Sequence, residues 1–399
     1  MHSTELAKEI IIGIHYILVH MINTIKKSAI LSKTVYLPGL NGLRAIAAIA
    51  VVLSHTTLGL GEFGLNPKIL GTDAQGNAKG LSLAGNGVTI FFTLSGFLIT
   101  YLLLREKELH PLKVKDFYVR RILRIWPLYY LYLIAAIITV LYFGLPFDSK
   151  SLPFYVLLAA NVPFITGSTF PFVAHYWSLG VEEQFYLFFP QLARLSNKKL
   201  LRVSVILIFS LLMLKVAFWM LGRKYGFSVP YLAITVTRFH VMLVGVVGAI
   251  LYYYRNRTFM TLATHKVTQG LSWFCILLIA LNYFHLAFID AELVSLIALF
   301  LIIGQVTKKG LINLENKLCN FVGKISYGVY VIHPLLIFLL GKLMYKLPEN
   351  KGSYLLVYLL VMAATLILSY LSYQYYEKPF LRLKAKFTTV KSSNTMNVT

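Results

Sequence analysis

Acidic side chains are scarce in this chain: 15 Asp and Glu stand against 38 Lys and Arg, and the four charged types together make only 13% of 399 residues. A soluble domain carries roughly 25% charged residues, so this shortage alone argues against a water-soluble globular protein. Cysteine is scarcer still. Cys275 lies in an apolar run and Cys319 in a basic loop, and two such residues make neither a disulfide framework nor a zinc site; no metal site is expected. There is no internal repeat, no low-complexity linker and no polar stretch long enough for a soluble domain.

Apolar sequence fills the space instead, at 58% of residues and a mean hydropathy of +0.70. Ten apolar runs fall at about 41–60, 83–104, 125–144, 176–195, 201–221, 231–254, 268–288, 291–307, 324–345 and 354–376. Each approximates the ~20 residues that cross a bilayer as a helix. The expected fold is an all-α polytopic membrane protein with about ten transmembrane helices. If residue 41 starts on the cytoplasmic side, loops on that side and the two ends of the chain hold 27 of the 38 Lys and Arg, the opposite loops hold 7, and 4 lie within runs. That asymmetry is the positive-inside rule, and it places both termini in the cytoplasm. The formal charge of +23 therefore reports topology, with membrane lipid rather than nucleic acid as its partner. Residues 152–166 are short and proline-bounded, and read as an outer-face re-entrant or interfacial piece. Residues 1–35 read as a cytoplasmic-face segment, with an amphipathic helix favoured, and 383–399 as a basic, flexible tail. Trp126, Tyr129 and Tyr130, like Tyr252 to Tyr254, occupy interface-belt positions.

Ionisable residues inside the runs carry the chemistry, since a charge in a bilayer is costly and marks a functional site by default. Arg44 and His55 share the first run, and eleven helical steps separate them by ~16 Å along the axis. The arginine would sit near one face and the imidazole about halfway across, a geometry suited to one reactant from each side. A snorkelling arginine and a core-satisfied histidine are the plainer alternatives. The second run, from Asn86 through Ser95 and Gly96, has small residues that let helices approach closely. Arg121 and Arg124 lie three apart on one face of the third run and could clamp phosphates bidentately; topological anchoring remains equally open. The fourth run opens with His175, Trp177 and Ser178, followed by Glu182, Glu183 and Tyr186. At least one of those carboxylates should be buried against a partner, and His55 is the obvious one, because a carboxylate orients an imidazole for general-base work. The ninth run carries Ser326, Tyr327, Tyr330 and His333, with Glu377 and Pro379 closing the tenth.

In this order the motifs resemble those of the acyltransferase-3 family of integral membrane O-acyltransferases. They are Arg-x10-His (Arg44, His55), Phe-Phe-x-x-Ser-Gly-Phe (Phe91 to Phe97), Arg-x-x-Arg (Arg121, Arg124), Trp-Ser-Leu-x-x-Glu-x-x-Phe-Tyr (Trp177 to Tyr186) and Ser-Tyr-x-x-Tyr-x-x-His (Ser326 to His333). The resemblance covers about residues 36–382, the expected membrane domain. It implies ten core helices and an acyl-CoA donor bound from the cytoplasm as co-substrate, with no permanently bound cofactor. It also implies an acceptor hydroxyl on a glycan or lipid-linked saccharide, acetyl as the acyl group and a bacterial cytoplasmic-membrane location. Carried over, His55 matches the catalytic histidine, Glu182 the motif glutamate, and Arg44, Arg121 and Arg124 the donor-side cations. Ser95, Trp177, Ser178, Arg238, Tyr327 and His333 would bind the acceptor or support the site. His240 stands where the family often has an acidic residue, which leaves the role of Arg238 open. The chain is expected to be the stand-alone form without a C-terminal hydrolase-like domain. Transfer could run directly or through an acyl-histidine. A transporter or flippase for a lipid-linked glycan is the rival reading, since buried His, Arg and Glu also suit a proton relay. A non-catalytic acyl-CoA sensor is a third.

Overall fold

The computed structural model describes residues 34–72, 76, 78, 82–283 and 287–392. The amphipathic helix expected at 1–35 lies outside them except for its last two residues, as does 393–399 of the tail. Apolar periodicity becomes helix along nearly all of the described chain: α1 (Leu40–Leu58), α2 (Leu83–Leu109), α3 (Val114–Tyr142), α4 (Leu152–Val156), α5 (Asn161–Thr166), α6 (Trp177–Ala193), α7 (Asn197–Tyr225), α8 (Val229–Thr237), α9 (Phe239–Tyr253), α10 (Arg257–Thr264), α11 (Lys266–Ala280), α12 (Asp290–Val306), α13 (Lys317–Leu343), α14 (Lys351–Leu371) and α15 (Lys378–Ala385). Each of the ten apolar runs contains helix, and among the described residues seven stretches are long and apolar enough to cross a membrane. The protein is an all-α polytopic membrane protein. The helices at the fourth, seventh and eighth runs have 17, 15 and 17 residues, somewhat below the ~20 of a full perpendicular span.

Two departures from the hydropathy pattern are informative. The sixth run, expected as one continuous helix, breaks at Arg238, which adopts φ 46° between α8 and α9. Its guanidinium turns toward α2, donating to the Gly85 carbonyl at 3.1 Å and to Thr89 Oγ1 at 2.9 Å, while its Nε donates to the Thr235 carbonyl at 3.0 Å. Those bonds favour the bend, and no hydropathy window registers them. Residues 152–166 form two short helices, α4 and α5, held against α3 by the Tyr129 hydroxyl, which donates to the Tyr155 carbonyl at 2.7 Å.

The inner bundle is built on α1, which packs between α2 and α13, while α2 packs along α9. The α2–α9 contact depends on two glycines. A Cβ on Gly96 would lie 2.0 Å from the Met242 carbonyl oxygen, and one on Gly245 would lie 2.2 Å from that of Thr93, so only hydrogen lets these backbones approach. Peripheral helices are different. In the most apolar window of α7, 11% of residues are buried inside the protein, against 72% for α2. One of the few buried positions of α7 is Lys215, whose ammonium meets Glu292 of α12 at 2.7 Å. Beyond α14 the chain passes through a wider π-helical turn, Ser372–Glu377, into α15. The expected flexible tail, 383–399, begins within α15 and leads to strand β2 (Lys391–Ser392), which pairs in parallel with β1 (Thr34–Val35).

Candidate functional site

Within the inner bundle, cations gather around a cavity between α1, α2, α3, α6, α13 and the segment after α15. Arg44 enters from α1, Arg120, Arg121 and Arg124 from successive positions of α3, and Lys384 from α15. The opposite wall is apolar, with Val88, Phe91, Phe92, Leu98 and Leu102 of α2. Two carboxylates share the cavity with these five cations. Glu106 is taken by Arg120 in an ion pair of 2.9 Å. Glu182 accepts from the Tyr186 hydroxyl, which also meets Ser95 Oγ, and it lies within electrostatic reach of Arg44 and Arg124.

Arg121 carries an open buried donor. Its guanidinium stacks over the Tyr186 ring at 4.8 Å and the Phe117 ring at 5.5 Å, and its Nε is buried without a hydrogen-bond partner. A buried donor left unpaired costs free energy, and an anion entering the cavity would remove that cost. The chain after α15 closes one side: Thr388 and Val390 line the cavity. Arg120 donates to the Phe387 carbonyl at 2.8 Å, and His110 meets Thr389 Oγ1 at 3.1 Å.

Further along α1 lies a cluster of imidazoles. His55 Nδ1 and His333 Nε2 are 2.8 Å apart with rings stacked at 5.0 Å, and the ring of His175 lies 5.4 Å from that of His333. The hydrogen bonds fix the tautomers. His333 Nδ1 is 3.0 Å from the Val329 carbonyl, and a carbonyl only accepts, so this nitrogen carries the proton. In the neutral ring Nε2 is then the acceptor, and His55 Nδ1–H must donate to it. His55 Nε2 consequently holds a lone pair. His333 and His175 are buried, whereas His55 keeps partial exposure. Tyr330 joins the two clusters: it lines the cavity, packs its ring on His175 at 5.3 Å, donates to the His175 carbonyl at 2.9 Å and meets Ser178 Oγ at 2.6 Å.

The structure thus brings Arg44, Arg121, Arg124, Glu182, Ser95, Ser178 and Tyr327 to one cavity and places His55 with His333 beside it. Tyr327 also donates to the Ile125 carbonyl at 2.7 Å, fixing α13 against α3. The expected pairing of His55 with Glu182 does not form. Tyr186 is one turn from Glu182 on α6 and captures it locally, as i,i+4 neighbours do, while the imidazole faces α13. Trp177 and Arg238 stand apart from the cavity lining: Trp177 stacks on Phe164 at 5.3 Å and carries the Arg238 guanidinium over its ring at 5.6 Å. Sequence reasoning passed over Lys384, one cation in a basic run, and did not give Tyr186 its role, although its i,i+4 spacing to Glu182 was visible. Among the described residues no group of three or more His, Cys, Asp or Glu is arranged to hold a metal.

Fold and site together define a polytopic helical membrane protein whose cationic cavity is joined through Tyr330 to a cluster of three histidines. The family model described as an acyltransferase domain matches residues 37–374, and the chain belongs to the acyltransferase-3 family. It is 28% identical over 386 residues to the "Putative O-acetyltransferase SAR0937" of Staphylococcus aureus strain MRSA252, covering 90% of this chain and 59% of that protein. It is 27% identical over 379 residues to the O-acetyltransferase OatA of Staphylococcus aureus strain NCTC 8325 / PS 47, covering 86% and 57%. The chain therefore spans less than two thirds of the length of these curated relatives. No solved structure matches it.

Proposed function

We propose that this protein is a membrane O-acyltransferase that moves an acyl group, acetyl by analogy with the names of its relatives, from acyl-CoA to a hydroxyl of a glycan or lipid-linked saccharide. The tautomer chain Val329–His333–His55, which leaves a lone pair on His55 Nε2, is the observation that carries this reading.

Arg44, Arg121, Arg124 and Lys384 hold the phosphates of the donor at the cationic end, with charge-assisted hydrogen bonds supplying affinity and direction. The free space of the cavity, about 170 Å³, is less than the ~300–1,000 Å³ of common ligand pockets. It suits a thin thioester arm threaded between helices better than a bulky ring. His55 Nε2 takes the proton of the acceptor hydroxyl, and the oxygen attacks the thioester carbonyl. The carbon–sulfur bond breaks, an ester forms, and the thiolate leaves with the proton returned from the imidazolium. A positioned base of this kind contributes roughly 10²–10⁴-fold. The exposed Phe164 ring, backed by Trp177, offers an aromatic surface against which a sugar ring could rest. The 27-to-7 charge asymmetry supports a donor entering from the cytoplasm of a bacterial cytoplasmic membrane.

The test is turnover. Purified full-length protein given acetyl-CoA and a soluble acceptor glycan should release free coenzyme A only when acceptor is present. Acceptor-independent release, or none across a panel of glycans, counts against transfer. The transporter rival instead predicts glycan movement across proteoliposomes without any coenzyme A released.

A further inference from the structure

A second cavity opens beside the start of α13, apart from the machinery above, with about 600 Å³ of space, inside the ~300–1,000 Å³ range of small-ligand pockets. Lys317 and Lys324, seven residues apart on one face of α13, line it together with Lys378 at the start of α15. None of the three forms a salt bridge among the described residues. Lys378 reaches only a neutral partner, the Gln374 amide oxygen at 3.3 Å. One carboxylate shares the cavity, and both its oxygens are engaged. Glu315 accepts from the Gly39 N–H at 2.5 Å and from Asn320 Nδ2 at 2.9 Å. The cavity therefore holds an uncompensated positive charge.

Its rim points to the ligand. Phe321 of α13 and Tyr370 of α14 are 41% and 39% exposed with rings 5.6 Å apart, and Leu318 and Ile367 on the same helices are 71% and 59% exposed. Cations lining the cavity and apolar surface beside it match a phosphate joined to acyl chains. A soluble anion would use the first feature and leave the second bare. The lysines also belong to the 27 cations that the sequence asymmetry assigns to the cytoplasmic side, the side that faces the anionic leaflet under the positive-inside rule.

We propose that this cavity binds the phosphate of an anionic phospholipid headgroup, with the acyl chains lying along Phe321 and Tyr370. The bound lipid bridges α13 to the α14–α15 junction at the foot of α1, next to Asn41. The proposal is independent of the catalytic reading.

The experiment titrates full-length protein in neutral detergent with phosphatidylglycerol, phosphatidylcholine, glycerophosphoglycerol or inorganic phosphate, and counts bound ligand by native mass spectrometry. Phosphatidylglycerol should bind at least tenfold more tightly than the other three. Replacing lysines by Lys317→Gln, Lys324→Gln and Lys378→Gln should weaken it by roughly fivefold each, with Lys→Arg restoring most of the loss. Lys198→Gln with Lys199→Gln on α7 should change nothing. Equal affinity for the two phospholipids, or a triple variant that binds like wild type, overturns the site. Phosphate or deacylated headgroup binding as tightly as the lipid overturns the lipid assignment. Should the triple variant misfold, the single variants carry the same test, and three unchanged affinities reject the proposal.

Discussion

The cationic and imidazole ends of the inner bundle are both polar clusters in an apolar surrounding, yet they are satisfied in opposite ways. At the cationic end five positive side chains share a cavity with two carboxylates, and Arg121 has a buried Nε without a partner. At the imidazole end His333 bonds to a backbone carbonyl and to His55, and His175 to the Val331 carbonyl at 3.2 Å. Unpaired charge in a low-dielectric interior binds its counter-charge strongly, so the first end is built to take up an anion. Neutral rings held by hydrogen bonds suit proton transfer, the role proposed above for the second. On the proposed reading, mutation should separate binding from chemistry.

The largest separation should come from His55→Ala. Turnover should fall by roughly 10²–10⁴-fold, while acyl-CoA affinity, read by equilibrium binding to the purified variant, stays within twofold. Wild-type coenzyme A release in this variant would remove the catalytic assignment. The mirror image is Arg121→Ala with Arg124→Ala. Hydrogen bonds to charged groups are worth about 1.5–3 kcal/mol each, so donor KM should rise by roughly tenfold or more per arginine. Lysine replacements should recover only part, because the planar fork is gone. Unchanged donor affinity in the double variant would return these arginines to topological anchoring.

A smaller effect sharpens the tautomer argument. His333→Leu leaves the His55 Nδ1–H donor without its acceptor, which costs about 1–3 kcal/mol, or roughly 5- to 150-fold in kcat. His333→Gln supplies an acceptor oxygen and should retain more activity than leucine, with KM for acyl-CoA unmoved in both. Equal loss in the two variants would make His333 a packing residue. The smallest expected change is Glu182→Gln. Because Glu182 sits among the cations and bonds to Tyr186, its neutralisation should tighten donor binding a few-fold and leave kcat nearly constant. A loss in kcat comparable to that of His333→Leu would restore the direct His55–Glu182 partnership.

Much of the architecture was legible along the chain. The apolar runs fall where the helices are, and Ser95-Gly96 marks a place where α2 meets α9 backbone to backbone. Arg44, Arg121 and Arg124 were grouped only through the family resemblance, because each taken alone reads equally well as an anchor at a membrane face. Arg238 was not legible: its left-handed bend follows from acceptors on α2, about 150 residues away, which no local window contains. Lys384 was invisible for the opposite reason, since a basic run that sets topology looks the same whether or not one member turns inward.

The sequence by itself determined that this is a helical membrane protein and, through the order of its motifs, which family it resembles. Those properties follow from composition, period and spacing, which are local. Tertiary structure alone decided who meets whom. It paired His55 with His333 rather than Glu182, because α1 packs on α13 while Tyr186 holds Glu182 within its own helix. A carboxylate and an imidazole attract each other in any sequence, but hydrogen bonds form only between groups that helix packing brings within about 3 Å.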